Sequence, residues 1–247
     1  MDRLIYTAMT GAKHALEQQA TTANNLANAT TSGFRAQIDQ FRAVPVLGEG
    51  APTRTFVVDS TTGSDFRPGA IQQTGRDLDV AVQGSGWLAV QAEDGSEAYT
   101  RNGSLKINEN GLLQTGSGLN VVGDGGPITI PPGRNILIAK DGTISLVPDG
   151  SKATGLSAVG RLKLVDPPEA GLARGSDGLF RLQDGSTPEA DGKVSLTSGS
   201  IESSNVNVVN EMVNMIALAR AFDMHMKLLQ NAEGNATKAG QLLAMQS

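Results

Sequence analysis

Apolar and polar positions divide the chain into three textures. From Asp2 to about Thr30 the sequence contains no Pro and only Gly11, and apolar or small residues recur at Ile5, Met9, Ala12, Leu16, Ala23 and Leu26. With Gln19 in the remaining slot, this 4-3-4 spacing predicts a heptad seam along one face of a helix, with Asp2 placed to cap it. Leu4, Ala8, Gly11 and Ala15 form a second seam of small residues beside the first, which suits a helix that meets more than one partner. Near the other end, Val208, Met212, Met215, Ala219, Phe222, Met226, Leu229, Ala236 and Leu243 fall on one heptad register. Asn207 is the expected N-cap, and Glu211 stands in the first turn, where the helix dipole favours an acid. At 1.5 Å per residue this second helix would be roughly 50 Å long, more than the width of a small domain. Gly234 and Gly240 lie within it, each costing about 1 kcal/mol relative to Ala.

Between the two helices the pattern changes to short apolar runs separated by turn residues. Asp79–Gln83, Trp87–Val90, Ser104–Ile107 before Asn110-Gly111, Ile136–Ile138 before Asp141-Gly142, and Val159–Val165 read as strands of an all-β domain. The stretch 35–78, with Pro45, Pro52 and Pro68, has little periodicity and reads as an extended connector with one strand at Thr55–Val58. The expected class is therefore α+β. An N-terminal helix occupies 1–34, a connector 35–78, an outer all-β domain 79–199 and a C-terminal helix 200–247. The terminal helices are expected to pair as a coiled-coil-like layer, although periodicity equally allows both to pack on the β domain. Facing seams would bury apolar surface at about 25 cal/mol per Å², yet a two-helix hairpin leaves each helix a large exposed flank.

Composition narrows the functions available. Of 247 residues, 39% are hydrophobic, enough for a core, while 4% aromatic content and 30 Gly favour turn-rich β structure. A net charge of −5 with no Lys or Arg run gives no footprint for a phosphate backbone, so nucleic acid is not expected as a partner. The absence of Cys excludes disulfides, thiolate metal sites and a Cys nucleophile. No apolar run reaches the ~20 residues of a membrane span, and the opening residues match a cleaved secretory signal poorly, so export would need a route without one.

Candidate chemistry is sparse, and no enzyme, metal or cofactor is expected. His14 and His225 both fall on predicted helices with no metal-binding spacing and read as helix-surface residues. No Gly-x-Ser-x-Gly elbow occurs. Gly116–Gly118 and Gly123–Gly126 lack the spacing of a phosphate cradle, and Gly192-Lys193 lacks the upstream glycine of a P-loop, so all three read as turns. Asp77 and Asp79 read as solvated acids at a strand entry; a secreted hydrolase would instead need them as a paired-carboxylate cleft. Asn24, Asn25 and Asn28 weaken an otherwise good helix former. Their amides can hydrogen-bond across a helix–helix contact and fix its register, the alternative being plain exposure. Gly33 is expected to end the helix, with Phe34 as an apolar anchor beyond it.

The segment from Asn24 to Arg35, NNLANATTSGFR, closely resembles the N-terminal signature of the bacterial flagellar rod and hook protein family. Gly199–Asn207, which includes Ser204, Asn205 and Val206, continues through Glu211-Met212-Val213, Met215-Ile216 and Arg220-Ala221-Phe222. That run resembles the same family's C-terminal signature. Thr74–Trp87 and Tyr99–Gly103 resemble its central blocks, so the likeness spans most of the chain. Trp87 departs from the Phe of many relatives, and Gly84-Ser85-Gly86 lacks the acid often found there. Met1–Ala12 and Phe41–Pro45 look most like the proximal-rod branch, with the distal-rod branch the nearest rival. The resemblance implies a non-enzymatic subunit of the basal-body rod, the torque-transmitting shaft crossing the periplasm. Its partners would be other copies of itself, neighbouring rod subunits and the flagellar type III export apparatus. The family fold pairs the terminal helices in an inner layer around a central channel, with the β domain outside and no membrane insertion. Assembly contacts would then fall on the helical seams, Ile216, the asparagine cluster with Gly33 and Phe34, and Ser204–Asn207.

Overall fold

The computed structural model describes residues 2–45, 55–148 and 156–244. Two compact units divide the chain, one of Met1–Ala29, Gln37–Ser64 and Val206–Ser247, the other of Thr30–Ala36 and Asp65–Asn205. The backbone therefore passes between them four times.

In the first unit, helices α1 (Asp2–Ala27) and α2 (Val208–Ala244) pack against each other. α1 stops well before Gly33. Asn28, Thr30, Thr31 and Ser32 are poor helix formers, and the Asn28 amide folds back onto the Asn24 carbonyl at 3.0 Å. At the start of α2, Asn207 Oδ1 accepts from the Asn210 backbone N–H at 3.1 Å, the bond an N-cap makes. The side chains of Asp2, Leu4, Ala236 and Leu243, named above for the cap and the seams, lie outside the described residues.

The segment 35–78 is not the extended connector expected. Strands β1 (Gln37–Pro45) and β2 (Thr55–Ser64) form an antiparallel ribbon in which Gln37 pairs with Ser64 and Pro45 with Thr55, with a bulge between Gln40 and Phe41. This ribbon belongs to the same unit as the helices, and β1 packs on α1. Its residues alternate poorly because one ribbon face lies on a narrow helix and not on a broad core, so periodicity gave little signal.

Among its described residues the second unit is all β apart from one short 3-10 turn at Glu169–Gly171. Its largest sheet has strands in the order Leu172–Arg174, Phe180–Leu182, Glu97–Thr100, Trp87–Gln91, Asn120–Gly123, Leu113–Thr115 and Leu105–Ile107. A three-stranded sheet joins Gly133–Ile138, Thr143–Pro148 and Ser157–Arg161, so the run expected at Val159–Val165 is split between two sheets. Two further pairs, Val80–Gln83 with Ser195–Ser198 and Ile71–Gln73 with Ser200–Glu202, bring the exit of the domain beside its entry. Strand Trp87–Gln91 is central and covered on both faces. Leu88 and Val90 enter the main core, while Trp87 and Ala89 join Tyr99, Val165, Leu172 and Phe180 in a second, smaller one.

Candidate assembly interface

Two contacts set how α1 meets α2. Asn25 Nδ2 donates to Glu211 Oε1 at 3.4 Å, and Gly11 lies so close to His225 that a Cβ there would stand 2.4 Å from the ring Cε1. Fourteen residues separate Gly11 from Asn25, and fourteen separate Glu211 from His225, so both contacts belong to one antiparallel register. The inner face of α1 consists of Ala8, Ala12, Ala15, Thr22 and Asn25, all buried, with Gly11 half-buried. Small side chains let the two backbones approach, and the bare Gly11 accommodates an imidazole. His225 is thus a packing residue whose buried Nδ1 has no partner among the described residues, and His14 packs edge-on against Phe41; neither is the free surface histidine expected.

On α2 the positions turned inward are Glu211, Met215, Leu218, Phe222, His225, Leu229 and Ala232, each half-buried or buried and spaced 4-3-4-3-4-3. Met215, Phe222 and Leu229 therefore lie on the packed face as expected of the seam. Val208, Met212, Ala219 and Met226 do not and stay exposed. On α1 the expected seam divides in the same way: Ala12 is buried, Ile5 and Leu26 are half-buried, and Met9, Leu16 and Ala23 face outward. The small-residue seam takes the intramolecular contact, and bulky residues remain outside. Val209 is 68% exposed, Val213 59% and Ile216 55%, so together with the exposed Val208 and Met212 they form an apolar stripe along one outward side of the first turns of α2.

The asparagines have separate tasks. Asn25 is buried, and beyond its bond to Glu211 its amide pairs with the backbone of Gln37, donating to the carbonyl at 3.0 Å and accepting from the N–H at 2.8 Å. It so anchors the first residue of β1 to α1 as a strand partner would. Asn24 is exposed, and Asn28 bonds locally to the Asn24 carbonyl.

Within the second unit, Gly33 is buried with φ +69°, and a Cβ there would stand 2.2 Å from the Arg101 carbonyl carbon. The buried Phe34 ring lies 4.3 Å from the Arg174 guanidinium carbon. Asn205 satisfies its whole amide: Oδ1 accepts from Ala36 N at 2.7 Å, and Nδ2 donates to the carbonyls of Asp65 and Arg67. Ser204 and Val206 are half-buried beside it. Asp65, Ala36 and Asn205 are the last residues of this unit at three of the four passages, so one side chain stitches them together.

Sequence reasoning gave no role to a cluster of three buried charges, Arg35, Arg101 and Glu202. Glu202 accepts from Arg35 Nη1 at 2.6 Å and from the Gly69 N–H at 2.8 Å through Oε1, and from Arg101 Nη1 at 3.1 Å through Oε2. Arg101 also donates to the Gly84 carbonyl, and both guanidinium carbons stand within 6 Å of the Trp87 ring, at 5.9 and 5.4 Å. Burial pushes Arg101 below its ordinary value, against the opposing pull of the Glu202 carboxylate. Asp79, expected to be solvated, is buried, accepts from Thr74 Oγ1 at 2.7 Å and pairs with Arg76, while Asp77 is exposed; the two acids form no cleft.

Three family models match the chain. Residues 5–35 match a flagella basal body rod protein model, residues 81–146 the flagellar hook protein FlgE/F/G D1 domain, and residues 197–242 the C-terminal part of flagellar basal body rod FlgEFG proteins. Flagellar basal-body rod protein FlgF of Escherichia coli K12 is 51% identical, over 99% of this chain and all of its own length. FlgF of Salmonella typhimurium is 49% identical over the same shares, and the rod protein FlgG of Buchnera aphidicola from Acyrthosiphon pisum is 34% identical over 89% of this chain and 91% of its own. The chain belongs to the flagellar basal-body rod protein family. Each of the three matched stretches contributes one member of the buried charge cluster, namely Arg35, Arg101 and Glu202. The family signatures thus converge on one point in the fold. Among the described residues, no helix of this rod-family chain is long and apolar enough to cross a membrane, and no group of His, Cys, Asp or Glu has the arrangement of a metal site.

Proposed function

We propose that this chain is a structural subunit of the proximal part of the flagellar basal-body rod, not an enzyme. It polymerises through its terminal helices into the shaft that transmits torque across the periplasm. The observation that carries this reading is the exposed apolar stripe of Val208, Val209, Met212, Val213 and Ile216 on α2's first turns, since a contiguous apolar patch of that kind marks a surface that a neighbour covers. α1 covers one face. In this reading Met9, Leu16 and Ala23 on α1, and Val208, Met212, Ile216, Ala219 and Met226 on α2, contact neighbouring copies and other rod subunits, and the helices of successive copies form a coiled-coil-like inner layer. Asn25, Asn205, Gly33 and Phe34 contribute indirectly, by fixing the entry and exit of the chain in each unit. The β domain stands outside that layer, and the subunit reaches the rod through the flagellar type III export apparatus. Full-length identity to FlgF relatives supports the proximal over the distal position.

The test is a pair of charges on the exposed face. The double variant Val213→Glu, Ile216→Glu keeps every described intramolecular contact and is expected to fold, yet to be missing from isolated basal bodies and to fail to restore motility in a strain lacking its own copy. Normal motility in that strain overturns the reading.

A further inference from the structure

The β domain is closed by its last residues. Strands Ile71–Gln73 and Val80–Gln83, near its start, each pair in a sheet with a single strand among the described residues, and the domain's exit supplies both partners. Ser200–Glu202 serves the first and Ser195–Ser198 the second. Val194 and Leu196 of the same exit segment are buried in the main core. Glu202 then reaches back to three points far upstream, over 101 residues to Arg101, 133 to Gly69 and 167 to Arg35.

Without Glu202 the same packing would enclose two guanidinium groups and no carboxylate for them. Asp79, the other buried acid among the described residues, is already engaged by Arg76 and Thr74. Burying like charges without a counter-ion is strongly unfavourable, and a guanidinium does not escape by giving up its proton. Arg101 also donates to the Val82 and Gly84 carbonyls, so it stands at the end of the very strand that waits for Ser195–Ser198. A chain is synthesised from its N-terminus at about 5–20 residues per second, so Glu202 follows Arg101 by roughly 5–20 s.

We propose that Glu202 is a folding latch: the β domain stays unfolded until residues 194–202 dock, and Arg35 and Arg101 enforce that order because they lack a counter-ion before then. The latch does not depend on the rod-subunit reading. Its use does rest on that reading, since a subunit bound for the export apparatus gains an interval in which the unfinished chain is not locked into a folded domain.

Stopped-flow refolding of the full chain from urea, followed at Trp87, measures the order. A contact already made in the transition state changes the refolding rate, and one made afterwards changes the unfolding rate. Glu202→Gln is expected to refold at least tenfold more slowly, with a smaller acceleration of unfolding. Adding Arg35→Met to Glu202→Gln removes one of the two cations and is expected to recover several-fold of the lost rate. Val194→Ala, a milder change in the same segment, is expected to slow refolding more than it speeds unfolding, and it decides the matter if Glu202→Gln does not fold. Unchanged refolding in Glu202→Gln, a double variant no faster than Glu202→Gln alone, or a Val194→Ala effect confined to unfolding overturns the proposal and leaves the rod-subunit reading intact. Absence of the unsubstituted chain from basal bodies removes the export role and leaves the latch.

Discussion

Glu202→Gln probes the buried charge cluster with almost no change in volume. The side chains of Arg35, Glu202 and Arg101 are 0%, 1% and 4% exposed, so two cations share one anion out of water. Gln retains one oxygen for the three donors now served by two, Arg35, Arg101 and Gly69, and turns an NH₂ toward the others. Breaking a buried pair by removing one partner costs about 3–5 kcal/mol, because the remaining charge stays buried uncompensated. For a domain of this size that corresponds to a melting-temperature loss of roughly 6–20 °C, at about 2–4 °C per kcal/mol. Trp87 is the only Trp in the chain and lies beside both guanidinium groups, so its fluorescence reads this cluster directly. Arg35→Met provides the internal control. It leaves Arg101 and Glu202 as a neutral pair and removes Arg35 Nε and Nη2, which have no partner among the described residues, so it is expected to cost less than Glu202→Gln. In the double variant the losses are expected to be less than additive. A Glu202→Gln loss below about 1 kcal/mol, the size of an exposed ion pair, would refute the argument, as would Arg35→Met proving the worse of the two.

Gly33→Ala is expected to cost well over the about 1 kcal/mol of an ordinary Gly-to-Ala change, since φ +69° disfavours a side chain and the obstructing atom is the Arg101 backbone; urea unfolding followed at Trp87 measures it. Gly11→Val drives a side chain into His225 and is expected to cost about 1–3 kcal/mol in the helix pair, seen as faster amide exchange across Ala8–Ala15 with the Trp87 midpoint unchanged. The buried Tyr99 phenol is raised above its ordinary 10.0, first by burial and then by the Glu97 carboxylate that accepts its hydrogen bond at 3.1 Å. A raised value means that this contribution is complete below pH 10 and lost as pH climbs above it. Tyr99→Phe is therefore expected to flatten the alkaline side of the stability profile, measured by urea midpoints at pH 8 and 11.

What the sequence reveals, and what it hides, follows from how local each signal is. α1, α2 and several of the strands were visible because their patterns are local, as with the Asn207 cap and the apolar run at Trp87–Val90. Periodicity did not say which of two adjacent seams faces the partner helix, and the bulky one was the natural choice on hydrophobicity alone. The strand expected at Thr55–Val58 is the start of β2, but its partner β1 was missed because Gln37–Pro45 mixes polar and apolar residues on a strand that leans on a single helix. Arg35, Arg101 and Glu202 stand far apart in sequence with no spacing to connect them. Their one local hint is a charged residue within otherwise apolar or small-residue motifs.

The inversion of seams is also the strongest physical argument for assembly. Had Met9, Leu16, Met212 and Ile216 filled the contact between α1 and α2, the pair would have met most of its need for burial within one chain. Instead Ala8, Gly11, Ala12 and Ala15 let the backbones close up, leaving the larger residues half or more exposed on the far sides. Each such side chain contributes roughly 1.5–3 kcal/mol when fully buried, and one copy realises only part of that. In the proposed assembly the remainder becomes available when a second surface arrives, and the small-residue face of α1 is where the sequence sets that division between contacts made within one copy and contacts left for its neighbours.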